Sequence, residues 1–325
     1  MKILIVKLSS LGDVVHAMPA VQDILARVPG AEIDWVVERG FAPLVGRCRG
    51  VRNVIECDLR RWCKSPLSGQ TRIEWRAFRE ALRREAYDAV IDVQGLTKSA
   101  LVARTAKLAA GGKRFALANQ TEGSSYEAPT RWVADVAIRI EPHVHAVTRS
   151  RELCARALGY GAPASLSFGL ASHVQAATGV LSNCIAFVHG TSRDDKLWPE
   201  ANWVALGRKL MAQGYTIGLP QGSDEERKRG ERIAAALGSS ASVWSRIDLG
   251  ALTDRLASCA GVIGVDSGLS HIAVALDLPH VQVYNFDTAW RTGPLSSANH
   301  LAVFAWPTPS LDAVWQAWTQ VRPAR

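Results

Sequence analysis

No stretch of this sequence approaches the roughly 20 consecutive apolar residues needed to cross a bilayer, so no membrane-spanning helix is expected. The short apolar run at residues 3–6 is closed by Lys7 and is not followed by a small-residue cleavage site, so it reads as a first β-strand and not as a secretory signal. A cytoplasmic chain is the expectation. Cysteine is sparse and scattered: Cys48, Cys57, Cys63, Cys154, Cys184 and Cys259 show neither a CxxC pair nor a Cys/His ligand spacing. That argues against a disulfide framework and against structural zinc, and no metal is expected. Two nucleotide fingerprints are also missing, the G-x-G-x-x-G of dinucleotide-binding folds and the Walker A loop, which weakens the case for an oxidoreductase or a P-loop enzyme. Helix-turn-helix patterns, RNA-binding signatures and basic tracts interleaved with aromatics are absent as well, so nucleic acid is not an expected partner.

What remains is a globular composition, 48% hydrophobic with a mean hydropathy of +0.02, carried by a basic chain of formal charge +8 and pI near 9.4. That charge suits an acidic partner, either a phosphorylated substrate or an anionic membrane surface, although solvated surface charge would account for it too. At 325 residues two domains are expected. Apolar runs and helical periodicities alternate. Strands are expected at residues 2–6, 32–37, 53–57, 89–93 and 114–117, with helices near 14–25, 72–84, 96–108 and 145–158 and a kink at Pro19. A Gly-, Ala- and Ser-rich stretch at 159–183 then separates a second series, with strands at 185–189, 216–219, 241–244, 261–265 and 280–284. Alternation of this kind produces parallel sheets covered by helices on both faces.

In such sheets ligands bind at the carboxyl ends of the strands, which makes the strand-to-helix turns the places to search. The stretch Gly264-Val265-Asp266-Ser267-Gly268-Leu269-Ser270-His271 is strand, tight turn and helix start. Free N–H groups around Ser267 and Gly268 would face an anion, Gly268 would let a diphosphate approach the backbone, and His271 falls one helical turn in, on the side of Ser267. The same residues fit a structural role, with Asp266 as a helix cap and His271 as a core histidine. The first turn, Lys7-Leu8-Ser9-Ser10-Leu11-Gly12-Asp13, carries one carboxylate, which is again either functional or a cap. Further turns supply the basic loop Leu59-Arg60-Arg61-Trp62-Cys63-Lys64, whose guanidinium forks match carboxylates and phosphates, and Asp92-Val93-Gln94-Gly95-Leu96-Thr97-Lys98-Ser99. In the second half the turns offer Thr191, Ser192 and Lys196, the acids Asp224, Glu225 and Glu226, and the corner Arg246-Ile247. These types fit a nucleoside diphosphate: lysine and hydroxyls on phosphate, a carboxylate on ribose, an apolar residue on the base. The tail, with Leu311, Val314, Trp315, Trp318 and Val321 at helical spacing, is expected to form a helix packing across the two domains.

Taken in order, the first turn extended through Val14-Val15-His16, Leu59-Arg60-Arg61-Trp62, Asp92 to Ser99, His145-Ala146-Val147, Thr191-Ser192-Arg193-Asp194-Asp195-Lys196 with Trp198-Pro199, and Asp266 to His271 resemble the ADP-heptose lipopolysaccharide heptosyltransferases, glycosyltransferase family 9. The resemblance implies a GT-B fold, two Rossmann-like domains facing a central cleft, with an acceptor-binding domain at 1–175, a donor-binding domain at 176–308 and the helix at 309–325. It implies an inverting, metal-independent transfer of L-glycero-D-manno-heptose from ADP-L-glycero-β-D-manno-heptose to the inner Kdo of Kdo2-lipid A, at the cytoplasmic face of the inner membrane and with no cofactor. It carries Asp13 over as catalytic base and Lys196 as a catalytic residue that, with Thr191 and Ser192, holds the diphosphate. Asp266, Ser267, Gly268 and His271 fall at the donor, Ile247 at the adenine, and Glu225 or Glu226 at the ribose. Ser10, Gly12, Arg60, Arg61, Lys64, Gln94 and Lys98 fall on the acceptor side. Two segments depart from the family pattern: Asn285-Phe286-Asp287-Thr288-Ala289-Trp290 replaces a Gly-Pro-Thr-Asp-Pro-like turn and is assigned no role, and Glu122 to Pro129 lacks an expected acceptor arginine. A heptosyltransferase acting on a later core sugar and a non-catalytic nucleotide-binding protein are the alternatives.

Overall fold

A computed structural model describes residues 1–172, 183–295 and 297–322. The chain divides into two compact units, Met1–Leu170 and Ala171–Arg325. The domain boundary expected at 175/176 lies outside the described residues.

Unit 1 is a parallel six-stranded sheet built from β1 (Lys2–Val6), β2 (Glu32–Glu38), β3 (Val51–Cys57), β4 (Tyr87–Asp92), β5 (Leu108–Leu117) and β6 (Val136–Ile138), in the order β3-β2-β1-β4-β5-β6. Its helices are α1 (Leu11–Arg27), α2 (Ala42–Val45), α3 (Leu59–Trp62), α4 (Gly69–Leu82), α5 (Thr97–Thr105), α6 (Pro129–Val133) and α7 (Ala146–Leu158). Strand β1 reads as one apolar run because both its faces are covered: Ile3, Leu4, Ile5 and Val6 are at most 1% exposed. Helix α1 continues through Pro19, so the expected kink does not end it. The segment read as a basic loop between β3 and α4 is in part the short helix α3, because Leu59 and Trp62 are buried and Trp62 packs against Trp75 and Phe78 of α4.

Unit 2 repeats the plan. Strands β7 (Cys184–Val188), β8 (Thr216–Leu219), β9 (Ala241–Val243), β10 (Gly261–Val265), β11 (His280–Tyr284) and β12 (His300–Phe304) lie in the order β12-β11-β10-β7-β8-β9, and the paired strands run parallel. Helices α8 (Glu200–Met211), α9 (Asp224–Leu237), α10 (Leu249–Ala257), α11 (Gly268–Ala275), α12 (Ala289–Thr292) and α13 (Leu311–Val321) complete it. Of the stripe read from the sequence Val314, Trp318 and Val321 are buried, joined by Ala317, while Leu311 and Trp315 are half-buried; the helix lies against β11, β12 and α8 of its own unit, with Trp318 edge-on to Tyr215.

Each sheet reverses its winding between the first and fourth strands of its unit, β1 and β4 in one and β7 and β10 in the other. This order is the doubly wound dinucleotide-fold order, and its ligand crevice opens beyond the carboxyl ends of those two strands. The turns after β1, β4, β7 and β10 carry Asp13, Gln94, Thr191 to Lys196, and Asp266 to His271, so the motifs stand where the topology places ligands.

Asp92 closes β4 at 1% exposure, accepting hydrogen bonds from the Gln94 and Gly95 amides (2.9 and 3.1 Å) and from the Ser99 hydroxyl (2.9 Å). Burial nevertheless pushes its carboxyl up to about 6, against those hydrogen bonds and Lys7. A raised carboxyl favours the protonated form in the fold, so its contribution is present at low pH and is lost as pH rises through about 6, a fall of about 3 kcal/mol. Asp92→Asn keeps the acceptor for the two amides and removes the titration. The expected result is a flatter dependence of unfolding free energy on pH between 4 and 7 than in the wild type; parallel profiles would contradict it.

Candidate active site

In unit 1 the turn between β1 and α1 is held from outside as well as by its own bonds. Gln94 Oε1 accepts the Leu8 and Ser9 amides at 3.1 and 3.2 Å, and the buried indole of Trp35 donates to the Lys7 carbonyl at 3.0 Å. Ser10 stands at the N-cap of α1 and gives both its amide (3.1 Å) and its hydroxyl (2.8 Å) to Asp13 Oδ2. Asp13 Oδ1 lies 3.8 Å from Lys7 Nζ and 3.8 Å from Arg149 Nη2. Both cations are buried, Lys7 at 2% and Arg149 at 7% exposure, while the Asp13 side chain is 36% exposed. The carboxylate is therefore the accessible member of a cationic pocket.

Burial by itself would raise the Asp13 carboxyl, but Lys7, the Ser10 hydrogen bonds and His16 outweigh it and hold the group well below the usual carboxylate range. Burial pulls the Lys7 ammonium down, opposed by Asp13 and Asp92. Lys7 also donates to the Val93 carbonyl at 3.4 Å, and Arg149 donates to Thr121 Oγ1 at 3.0 Å.

The structure binds Ser10 to Asp13 and locks Gln94 onto the same turn, with Gly12 in the first turn of α1. Arg60, Arg61, Lys64 and Lys98 are exposed and share no hydrogen bond or ion pair with that group among the described residues. Arg61 is already engaged by Asp58 at 2.6 Å and by Glu74. Its charge is offset within unit 1, whereas Arg60 and Lys64 present theirs to solvent.

In unit 2 the turns after β7 and β10 meet at Asp266, which is 7% exposed. Its Oδ2 accepts from Lys196 Nζ at 2.6 Å, its Oδ1 lies 3.5 Å from His271 Nε2, and its carbonyl accepts the Thr191 hydroxyl at 3.0 Å. Burial opposes ionisation, yet His271 and Lys196 overcome it and hold the carboxyl well below its ordinary range. Ser267 caps α11, and its buried hydroxyl has no hydrogen-bond partner among the described residues. The first turn of α11 thus directs amide N–H groups and the positive end of its dipole outward. Close packing sets the turn: a Cβ at Gly264 would lie 2.4 Å from Ser270 Oγ and 2.8 Å from Val188 Cβ.

The acidic turn is resolved by the same kind of contact. Glu226 packs on Gly190, where a Cβ would fall 2.4 Å from its Oε1, and its Oε2 accepts the Gly222 amide at 2.6 Å. Glu225 is exposed, and Glu226 is the acid that lies against the turn after β7. Ile247 is half-buried in the loop between β9 and α10, and Ser192 is exposed beside Lys196.

Three residues outside the sequence reading enter the arrangement. Lys7 was within the quoted motif but looked like the polar end of a strand. Arg149 sits on α7, one turn from the His145 motif, and Asn285 lies in the turn given no role. The Asn285 amide donates to the carbonyls of Asp195 and Leu197, at 2.9 Å each, and its Oδ1 accepts from Thr308 at 2.8 Å. Among the described residues no group of three or more His, Cys, Asp or Glu side chains is arranged to hold a metal ion.

Comparison with known proteins gives a single direction. Residues 75–314 match the model of glycosyltransferase family 9 (heptosyltransferase). The chain is 39% identical over 290 residues to lipopolysaccharide heptosyltransferase 1 of Escherichia coli K12, covering 87% of this chain and 88% of that one. Solved structures of the E. coli heptosyltransferase WaaC with ADP and with ADP-2-deoxy-2-fluoro heptose superpose with TM-scores of 0.87 and 0.84, at 35% identity, each covering 97% of this chain and 98% of the other.

Proposed function

Because the chain belongs to glycosyltransferase family 9 and is a glycosyltransferase of the GT-B fold, we propose that it transfers L-glycero-D-manno-heptose from ADP-heptose to the inner Kdo of Kdo2-lipid A, inverting the anomeric carbon. The observation that carries the reading is the Lys196–Asp266–His271 cluster beside the open first turn of α11, in a chain 39% identical to lipopolysaccharide heptosyltransferase 1.

In this reading the Kdo hydroxyl oxygen attacks the anomeric carbon of the donor as the bond from that carbon to the diphosphate oxygen breaks. Asp13 takes the hydroxyl proton, a role worth about 10²–10⁴-fold. Its lowered pKa keeps the carboxylate ionised at any working pH, and the transfer comes late, when bond formation has made the hydroxyl acidic. ADP departs with added negative charge. Lys196 and the amides at Ser267 and Gly268 face that charge, with Thr191 and Ser192 alongside, so in this reading the compensation comes from fixed protein groups rather than from a metal. Glu226 or Glu225 takes the ribose and Ile247 the adenine. Lys7 and Arg149 stand beside Asp13, where they suit an acidic sugar, and Arg60, Lys64, Lys98, Gln94, Ser10 and Gly12 complete the acceptor side.

The net charge of +8 supports peripheral attachment to the anionic cytoplasmic face of the inner membrane. No helix among the described residues is long and apolar enough to cross a membrane. Incubation with ADP-heptose and Kdo2-lipid A, read by mass spectrometry, is expected to add one heptose to the acceptor. Addition only to an acceptor that already carries a core heptose would reassign the step, and ADP binding with no transfer to either acceptor would make this a binding protein.

A further inference from the structure

The turn bearing Lys196 is a single turn of 3₁₀ helix, residues Asp194–Lys196, closed by two backbone hydrogen bonds: the Lys196 amide to the Arg193 carbonyl and the Leu197 amide to the Asp194 carbonyl, both 3.1 Å. One such turn has little stability of its own. Asn285 begins the segment beyond β11, about 90 residues away in sequence by its contact separations, and is 6% exposed. Its carboxamide nitrogen has two hydrogens, and they go to the carbonyls of Asp195 and Leu197, the residues on either side of Lys196. The carboxamide oxygen accepts from the Thr308 hydroxyl, which fixes which end of the amide faces the turn. Trp198 adds a second tie, its indole donating to the Pro309 carbonyl at 2.8 Å.

We propose that Asn285 is a positioning residue for Lys196: its side-chain amide grips the backbone on both sides of the lysine and so fixes where the ammonium meets the donor diphosphate. The proposal rests on the reading of Lys196 as the cation that faces the departing ADP. Only a short amide meets the requirement. Alanine and glycine have no donor, aspartate would turn an acceptor towards two carbonyl oxygens, and glutamine is a methylene too long for the same two bonds.

The grip should matter more in the transition state than for the fold. Lys196 reaches Asp266 at 2.6 Å, and a lysine that drifts by an ångström loses much of its worth to a developing charge. The test is a double-mutant cycle on the full chain. Asn285→Ala is expected to lower kcat roughly ten- to hundredfold and to weaken ADP binding by calorimetry. Asn285→Ser, with one donor, falls between, and Asn285→Asp, of the same size, is expected to be at least as slow as alanine. In a Lys196→Ala background the same Asn285→Ala change should cost less than about twofold, because a residue that acts through Lys196 has nothing left to position there, whereas independent sites would lose activity multiplicatively.

An equal loss in both backgrounds would overturn the proposal and make Asn285 a support of the fold, as would wild-type kinetics in Asn285→Ala. If Asn285→Asp fails to fold, the alanine and serine variants still decide the point. A Lys196→Ala enzyme with unchanged kcat and ADP affinity would instead overturn the reading of Lys196. That result is recognisable without any change at Asn285, and it removes the inference with it.

Discussion

Asp13→Asn is expected to remove transfer, a loss of about 10²–10⁴-fold in kcat, while ADP titrations stay close to wild type. Asparagine is the same size as aspartate, and its oxygen can accept the Ser10 amide as Asp13 Oδ2 does at 3.1 Å. What disappears is the proton acceptor and one negative charge beside Lys7 and Arg149. Lys7 is buried and its ammonium is already pulled down by burial, so it can answer the lost charge by releasing a proton, and the turn need not open. The groups proposed to hold the donor, Thr191, Lys196, Asp266 and α11, all belong to unit 2, which is why ADP affinity is expected to survive. The wild-type pH profile offers a second check. Lys7, the Ser10 hydrogen bonds and His16 outweigh burial and hold Asp13 down, so its loss of activity on acidification should fall below the usual carboxylate range. Turnover of Asp13→Asn within a few-fold of wild type would take Asp13 out of its role.

The parts of the fold that were legible in the sequence are those where burial on both faces forced an unbroken apolar run. Strands β1, β8 and β10 stand where the runs in Lys2–Val6, Thr216–Leu219 and Gly261–Val265 put them, and β11 stands at His280–Tyr284 although His280 and Gln282 interrupt its apolar residues. The outer strands β6 and β12 were missed for the opposite reason. β6 is three residues long, and β12 alternates between covered and open positions with Phe304 45% exposed, so neither gives a continuous signal. The short helix α3 was read as a loop because Arg60 and Arg61 dominate its sequence, while the two residues that fix it, Leu59 and Trp62, are held by α4 rather than by neighbours in the chain. The site follows the same division. Asp13, Lys196, Asp266 and His271 could be found because each sits in a strand-to-helix turn, where the open-sheet rule directs attention. Lys7 and Asn285 could not. A lysine after Val6 looks like the solvated end of a strand, although it is 2% exposed, and the bonds of Asn285 reach segments about 90 residues earlier and 23 residues later. The packing of Glu226 on Gly190 is likewise invisible in the sequence, since it depends on a missing Cβ at a distant position in the chain.

Lys196→Ala should have an effect of similar size by a different route. The ammonium is bound to Asp266, a carboxylate 7% exposed, so the lysine does two things: it neutralises a buried charge and, in the proposed reaction, faces the diphosphate. Removing it leaves Asp266 with His271 3.5 Å away, and the carboxyl should titrate higher than in the wild type because one of the groups holding it down is gone. For the donor, loss of a charged hydrogen-bond partner is expected to weaken ADP binding roughly ten- to hundredfold. Loss of charge stabilisation at the leaving group should lower kcat by a further ~10²–10³-fold, as for other single donors aimed at a developing anion. The two effects separate kinetically: a lysine that only binds would change kcat/KM with kcat intact, whereas one that acts on the departing charge lowers kcat at saturating donor. Lys196→Arg retains the charge but replaces a point donor with a planar fork that cannot keep the 2.6 Å contact in the same place, so it should recover affinity better than turnover. In the proposed reaction the diphosphate and Asp266 draw on the same ammonium. A donor titration of Lys196→Ala indistinguishable from wild type would mean that the lysine never leaves Asp266, and that the charge on the departing ADP is met by the first turn of α11 without it.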